Sequence, residues 1–160
     1  MANILIWGSM VAATAAVSTP ASDRTAALLA NSMVTCTALV ASPEMRTQLF
    51  GGKIPDYVRD DLQSLQHGNG SYEYDGTEMS ADSKSCRVAR RGYGESVVLP
   101  FDAALAQFEQ RLSPLGLKLE RIADDKGVTW KVGGVSISEY RSSEPMYSRS
   151  LTFTPQAANP

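Results

Sequence analysis

From Leu28 to Val40 the apolar residues Leu28, Leu29, Met33, Cys36, Leu39 and Val40 recur at helical intervals, which predicts a helix from Arg24 to about Ala41 capped by Asp23. Ser42, Pro43 and Glu44 then form a second helix start: a hydroxyl cap, proline at the first helical position and a carboxylate near the positive end. Gly51 and Gly52 break that helix after Phe50. Tyr57, Val58, Leu62 and Leu65 keep helical spacing after Pro55 and Asp56, and the segment closes at His67, Gly68, Asn69 and Gly70.

Beyond Ser71 the period changes to two. Tyr72 and Tyr74 alternate with Glu73 and Asp75, and the acidic set Glu73, Asp75, Glu78 and Asp82 precedes the basic set Lys84, Arg87, Arg90 and Arg91. This pattern predicts two strands whose opposite charges pair across the ladder. On the second, Cys86, Val88 and Arg90 share one side, and Arg87, Ala89 and Arg91 share the other. Gly92 and Gly94 make a turn around Tyr93, and Val97, Val98 and Leu99 then read as a short buried strand ended by Pro100. Asp102 stands at a helix cap, and Leu105, Phe108 and Leu112 form one stripe of a central helix over 102–113, closed by Pro114 and Gly116.

The last third alternates almost throughout. Leu117 and Leu119, then Val128, Trp130 and Val132, then Val135 and Ile137 mark three strands joined by Asp124-Asp125-Lys126-Gly127 and by the two-residue turn Gly133-Gly134. Leu117 to Arg141 is thus an antiparallel meander. Leu151 and Phe153 share a face of a final strand over 150–154, and residues 157–160 form a frayed tail. The fold class expected is α+β: an antiparallel sheet of about five or six strands packed against an N-terminal helical segment and the central helix. The strand, helix, strand, strand order from Val97 to Val132 resembles small modules of envelope secretion and receptor machines, a layout shared by many unrelated folds.

Composition narrows the class of protein. With 160 residues, 43% hydrophobic and 20% charged, the chain suits one folded domain, expected over residues 22–156. A net charge of -2 with dispersed Lys and Arg argues against a nucleic-acid partner. Residues 1–22 carry no charged side chain, and Ile4 to Val17 is an apolar run followed by Thr19 and Ala21 at the small positions of a cleavage site before Ser22. Residues 1–21 are therefore expected to be a signal peptide and the protein periplasmic or secreted, touching membrane only if that segment is retained. The lack of Lys or Arg near Met1 and the neutrality of residues 25–41 keep an uncleaved anchor, a buried N-terminal helix and a second membrane segment as alternatives.

Export gives the two cysteines a role. Cys36 and Cys86 lie on the apolar sides of their elements, and in an oxidising compartment an even count favours a disulfide between them. Closing a loop of about 50 residues is worth roughly 4 kcal/mol in the chain-entropy account. Two cysteines and one histidine cannot build a standard zinc site, and the acidic residues lack the calcium-loop pattern, so neither metal nor cofactor is expected.

Catalytic signatures are sparse. The chain has no GxSxG elbow, phosphate-binding loop, dinucleotide fingerprint or HExxH, and a hydrolase would have to use His67, the single histidine, as its base. The leading expectation is a non-enzymatic envelope protein that binds another protein, as an inhibitor, immunity factor or accessory subunit. Arg90, Arg91, Tyr93, Tyr140 and Tyr147 are its candidate contact residues. A small-ligand carrier is the alternative, with a pocket between sheet and helices lined by residues such as Phe108, Trp130 and Tyr140.

Overall fold

A computed structural model describes residues 21–53, 56, 59, 70–74, 76–82, 84–93, 95–125, 127–142 and 147–156. Residues 1–20 of the signal segment expected over 1–21, most of the helix expected after Pro55, His67 and the tail lie outside the described residues. Three helices and seven strands are described: α1 (Ala21–Val40), α2 (Pro43–Leu49), β1 (Gly70–Tyr74), β2 (Thr77–Ala81), β3 (Cys86–Gly92), α3 (Glu95–Leu112), β4 (Glu120–Asp124), β5 (Gly127–Val132), β6 (Val135–Ser142) and β7 (Tyr147–Pro155). The α+β class, the N-terminal and central helices and the C-terminal meander are all present.

The strands form one sheet in the order β1-β2-β3-β7-β6-β5-β4, and every neighbouring pair is antiparallel. It holds more strands than the five or six expected. The acidic half of the stretch after Ser71 is itself a hairpin, turning at Gly76 (φ 70°), so that stretch makes three strands rather than two. After β3 the chain crosses through α3 to the far edge, then returns strand by strand until β7 closes against β3. The last strand is thus fourth of seven, flanked by β3 and β6, which joins an N-terminal meander to a C-terminal one.

The helices cover one face. Inward positions are Met79 on β2, Cys86 and Val88 on β3, Leu151 and Phe153 on β7, Ile137 and Val135 on β6, and Trp130 and Val132 on β5, all buried. Phe108 of α3 meets Phe153 edge to face, centroids 6.5 Å apart, where the helix crosses the middle strand. On α1, residues Ala26, Leu29, Ala30, Met33, Cys36 and Ala38 are buried, and so are Thr25, Ser32, Thr35 and Thr37. Two of these hydroxyls donate to the carbonyl one turn back, Thr37 to Met33 at 2.8 Å and Ser32 to Leu28 at 3.1 Å, which lets a partly polar helix sit inside the protein. No helix among the described residues is long and apolar enough to cross a membrane, and α1 is a core helix.

The disulfide between Cys36 and Cys86 is present, with Cα atoms 5.2 Å apart and both residues fully buried, and it ties α1 to β3. At the C-terminal end of α1, Arg46 of α2 donates its Nε to the Ala38 carbonyl at 2.7 Å, satisfying an oxygen that the helix end leaves open. Ser42 caps α2 as expected, accepting from the Met45 N–H. The Gly133-Gly134 turn has φ 48° and 82°, the left-handed pair that suits a two-residue hairpin. A Cβ on Gly133 would run into the Met45 side chain, so α2 also approaches this turn closely.

Three local expectations are corrected. Val97 to Leu99 is not a strand, because α3 begins at Glu95 and runs through Pro100 to Leu112. Val97, Phe101, Ala104, Phe108 and Leu112 are buried at intervals of four, three, four and four, so the helical stripe starts before the proline. Pro100 lies in the second turn, where the hydrogen bond it cannot donate is offset by burial of the stripe around it. Asp102 is accordingly inside α3 rather than at its cap, and the strand that would have opened the module-like order is absent. Asp23 likewise sits in the first turn of α1, which begins at Ala21, where a carboxylate still opposes the positive end of the helix.

Candidate functional site

No described helix packs on the outer face of the sheet, and alternation sends a different set of residues there. The register aligns them in rows. One runs Ser80, Arg87, Thr152, Ser138, Thr129 and Ile122 across β2, β3, β7, β6, β5 and β4. The next runs Glu78, Ala89, Ser150 and Tyr140, and a third Arg91, Ser148 and Ser142. Ala89 and Ser150 are buried even on this side and make a floor of small residues between Glu78 and Tyr140, whose own side is 60% exposed. Arg91 reaches back to Glu78 at 3.7 Å, the cross-strand charge pair expected between the acidic and basic segments.

A hollow of about 360 Å³ opens at the end of the first row, lined by Ser80, Ala81, Asp82, Ser85, Arg87 and Thr152. Its rim is built by the β2–β3 loop. There Asp82 accepts from the N–H groups of Lys84 and Ser85, each at 2.7 Å, and from the Ser85 hydroxyl at 2.9 Å. These donors, the Lys84 N–H foremost, favour the ionised carboxylate and hold its pKa below the ordinary aspartate value. A second depression of about 560 Å³ lies between the end of α3 and residues 116–119.

The opposite face carries a different constellation, toward the Gly92 end of β3 and away from the hollow. Arg90, Arg149 and Arg141 are aligned on β3, β7 and β6 on the helix side. Arg149 is buried; its Nε donates to Glu139 Oε1, its Nη1 donates to Asp102 Oδ1 at 2.5 Å, and its guanidinium lies 5.0 Å from the centre of the Phe101 ring. Glu139 also accepts from Arg141 at 2.7 and 3.2 Å, a contact that raises the Arg141 pKa above its ordinary value. The cluster fastens α3 to β6 and β7. Its guanidiniums and carboxylates satisfy one another, so its chemistry is that of a clasp.

The sequence-predicted contact residues are therefore divided. Arg91 and Tyr140 lie on the outer face, and Tyr93, 78% exposed, stands two residues beyond Arg91 at the exit from β3. Tyr147 opens β7 opposite Gly92, next to that exit. Arg90 belongs to the helix side, in line with the clasp. The residues named for a carrier pocket are not brought together: Phe108 and Trp130 are core, and Tyr140 is on the other side of the sheet. Among the described residues no group of His, Cys, Asp and Glu is arranged to hold a metal ion.

Arg149, Glu139, Asp102 and Arg87 are not among the site residues expected from the sequence, where Asp102 reads as a helix cap and Arg87 as one of a charge-pairing set. A signal existed for two of them: Glu139 shares the inward phase of Ile137, and Arg149 that of Leu151 and Phe153, so each is a charge on a buried face. No known protein family, curated protein or solved structure matches this chain.

Proposed function

We propose that the chain is an exported, non-enzymatic protein of the cell envelope that acts by binding another protein through the outer face of its sheet, as an inhibitor, immunity factor or accessory subunit. The observation that carries this reading is the outer face itself: no described helix covers it, and it presents Tyr140 at 60% exposure beside a floor of small residues. Tyrosine and arginine are the residues that interfaces favour, because each offers a broad contact area and a directional polar end. Tyr93 and Arg91 extend the same patch toward the exit from β3. The buried Cys36–Cys86 bond supports the compartment, since such bonds persist where thiols are not kept reduced.

Two measurements test it. The intact mass of the protein made from its native N-terminus, with and without reduction before alkylation, should show loss of about 21 residues and thiols blocked until reduction. A full-length mass with two free thiols would return the protein to a reducing compartment. Capture from envelope extract on immobilised protein, followed by identification, should retain a partner that the Tyr140→Ala/Arg91→Ala variant loses. Equal retention by that variant would remove the outer face from the reading.

A further inference from the structure

We infer that the hollow at Arg87 is a carboxylate-binding site, and that its occupant is an aspartate or glutamate side chain carried by the protein partner; this rests on the protein-binding reading above. The starting observation is the state of the guanidinium. Among the described residues, every other buried or half-buried arginine is engaged: Arg149 by Glu139 and Asp102, Arg46 by backbone carbonyls, and Arg90 by a contact of its own. Arg87 is half-buried, yet its guanidinium makes no hydrogen bond or ion pair with any described residue. A guanidinium on a half-buried side chain with no acceptor among the described residues leaves five N–H donors for a ligand.

Its surroundings select the kind of ligand. Ser80 and Thr152 flank Arg87 in register on either side, and Ser85, just before β3, lines the same hollow. Hydroxyls of Ser80 and Thr152 can therefore donate to the same acceptor as the guanidinium. Asp82, the one carboxylate among the described residues lining the hollow, is turned into its own loop by three donors, and Glu78 on the neighbouring row is paired with Arg91. Neither is bonded to Arg87. With a single cation among the described lining residues and the Asp82 charge close by, the site suits a singly charged planar oxyanion held by two parallel N–H bonds. A dianionic phosphate, which is usually held by several cations, is disfavoured by the same charge count.

The position of the hollow argues for a ligand borne by a protein. It is an open recess on the outer face, continuous with the row through Thr152 and Ser138 and adjacent to Ser150 and Tyr140. An extended acidic segment lying across the strands could place one carboxylate on Arg87 while its neighbours pass over the small floor toward Tyr140.

The test uses the purified chain and nitrogen-15 NMR, reading the Arg87 Nε–H and the backbone N–H groups of Ser85 and Thr152. The probe is a blocked hexapeptide of alternating serine and glutamate, with its glutamine counterpart, acetate and inorganic phosphate as controls. The expected result is a saturable shift of these signals with the glutamate peptide and none with the glutamine peptide. Affinity should fall about tenfold or more in Arg87→Gln, the size of losing one charge-assisted bidentate contact, with Arg87→Lys intermediate. Unchanged Arg87 signals at saturating peptide, or undiminished binding by Arg87→Gln with an unaltered spectrum elsewhere, would overturn the site. Phosphate binding tighter than the peptide would overturn the carboxylate assignment, and acetate binding as tightly would overturn the protein-borne source. The titration needs no natural partner. A silent titration with partner capture intact thus removes this site alone, whereas lost capture with a positive titration removes only the wider reading.

Discussion

The two faces of the sheet are made by the same seven strands and differ in almost everything else. On the inner face the alternate positions are Met79, Cys86, Val88, Leu151, Phe153, Ile137 and Trp130, locked by a disulfide, an aromatic contact and a charge clasp. Opposite them stand Ser80, Arg87, Thr152, Ser138, Thr129 and Tyr140, which need no partner for the chain to fold. The difference separates two kinds of information. Inner positions are constrained by burial, so their side chains report on stability; apart from the buried Ala89 and Ser150, the outer positions are less constrained, so their chemistry is where a binding function can be written.

Substitutions should obey the same division. Replacing both Cys36 and Cys86 by alanine should have the largest effect, lowering unfolding free energy in urea by roughly 4 kcal/mol through release of the loop between them. A loss under about 1 kcal/mol would mean that the helix-to-sheet contact alone holds α1 in place. Arg149→Ala follows, at about 3 kcal/mol, because Glu139, only 4% exposed, is left with the largely exposed Arg141 as its counter-charge. Asp102 is 58% exposed and adds little to that figure. The double change Arg149→Met with Glu139→Leu should recover most of the loss, and equal instability of single and double variants would show that shape rather than charge holds the clasp.

Gly133→Ala should cost about 2 kcal/mol, from a left-handed backbone and the collision with Met45, whereas Gly134→Ala, with open space around its added carbon, should cost about 1 kcal/mol. Adding Met45→Ala should narrow the gap between the two; an unchanged gap would place α2 farther from the turn. Asp82 supplies a pH-dependent effect. Its folded pKa is lowered, so its contribution is complete above the ordinary aspartate pKa and is lost as pH falls below that value toward the folded one. Wild type should therefore lose more stability than Asp82→Ala on acidification through that window, and parallel profiles would dissociate the loop's hydrogen bonds from stability. The smallest change belongs to the outer face. Tyr140→Ala should alter stability by less than about 0.5 kcal/mol, and a larger loss would show that this face too is part of the core.

Much of the inner face was legible in advance. The stripe through Leu29, Met33 and Cys36 marked α1, alternation around Trp130 and Ile137 marked the meander, and Gly133-Gly134 marked its tightest turn. Errors came where two periods fit one run. Val97 to Leu99 reads as a buried strand when Pro100 is taken as a stop, and as helix only once Phe101 and Ala104 are seen to continue the stripe. The candidate site was less legible than the fold. Arg87, Arg90 and Arg91 look alike in sequence, yet Arg91 pairs with Glu78, Arg90 lies in line with the clasp and Arg87 faces a hollow, because strand phase and neighbouring strands give each a different environment.

Local sequence determined which segments become helix or strand and which of their sides is apolar, because backbone preference and residue period act over a few neighbouring positions. The same short-range logic put Cys36 and Cys86 on apolar sides and so made their bond foreseeable. Tertiary structure alone decided that β7 enters the middle of the sheet, that Arg149 meets Asp102 across 47 positions of chain, and that the Arg87 guanidinium has no acceptor among the described residues. Those outcomes depend on which strands become neighbours. Pairing between distant segments is set by the burial of the whole inner face at once, a condition that no single stretch of residues contains.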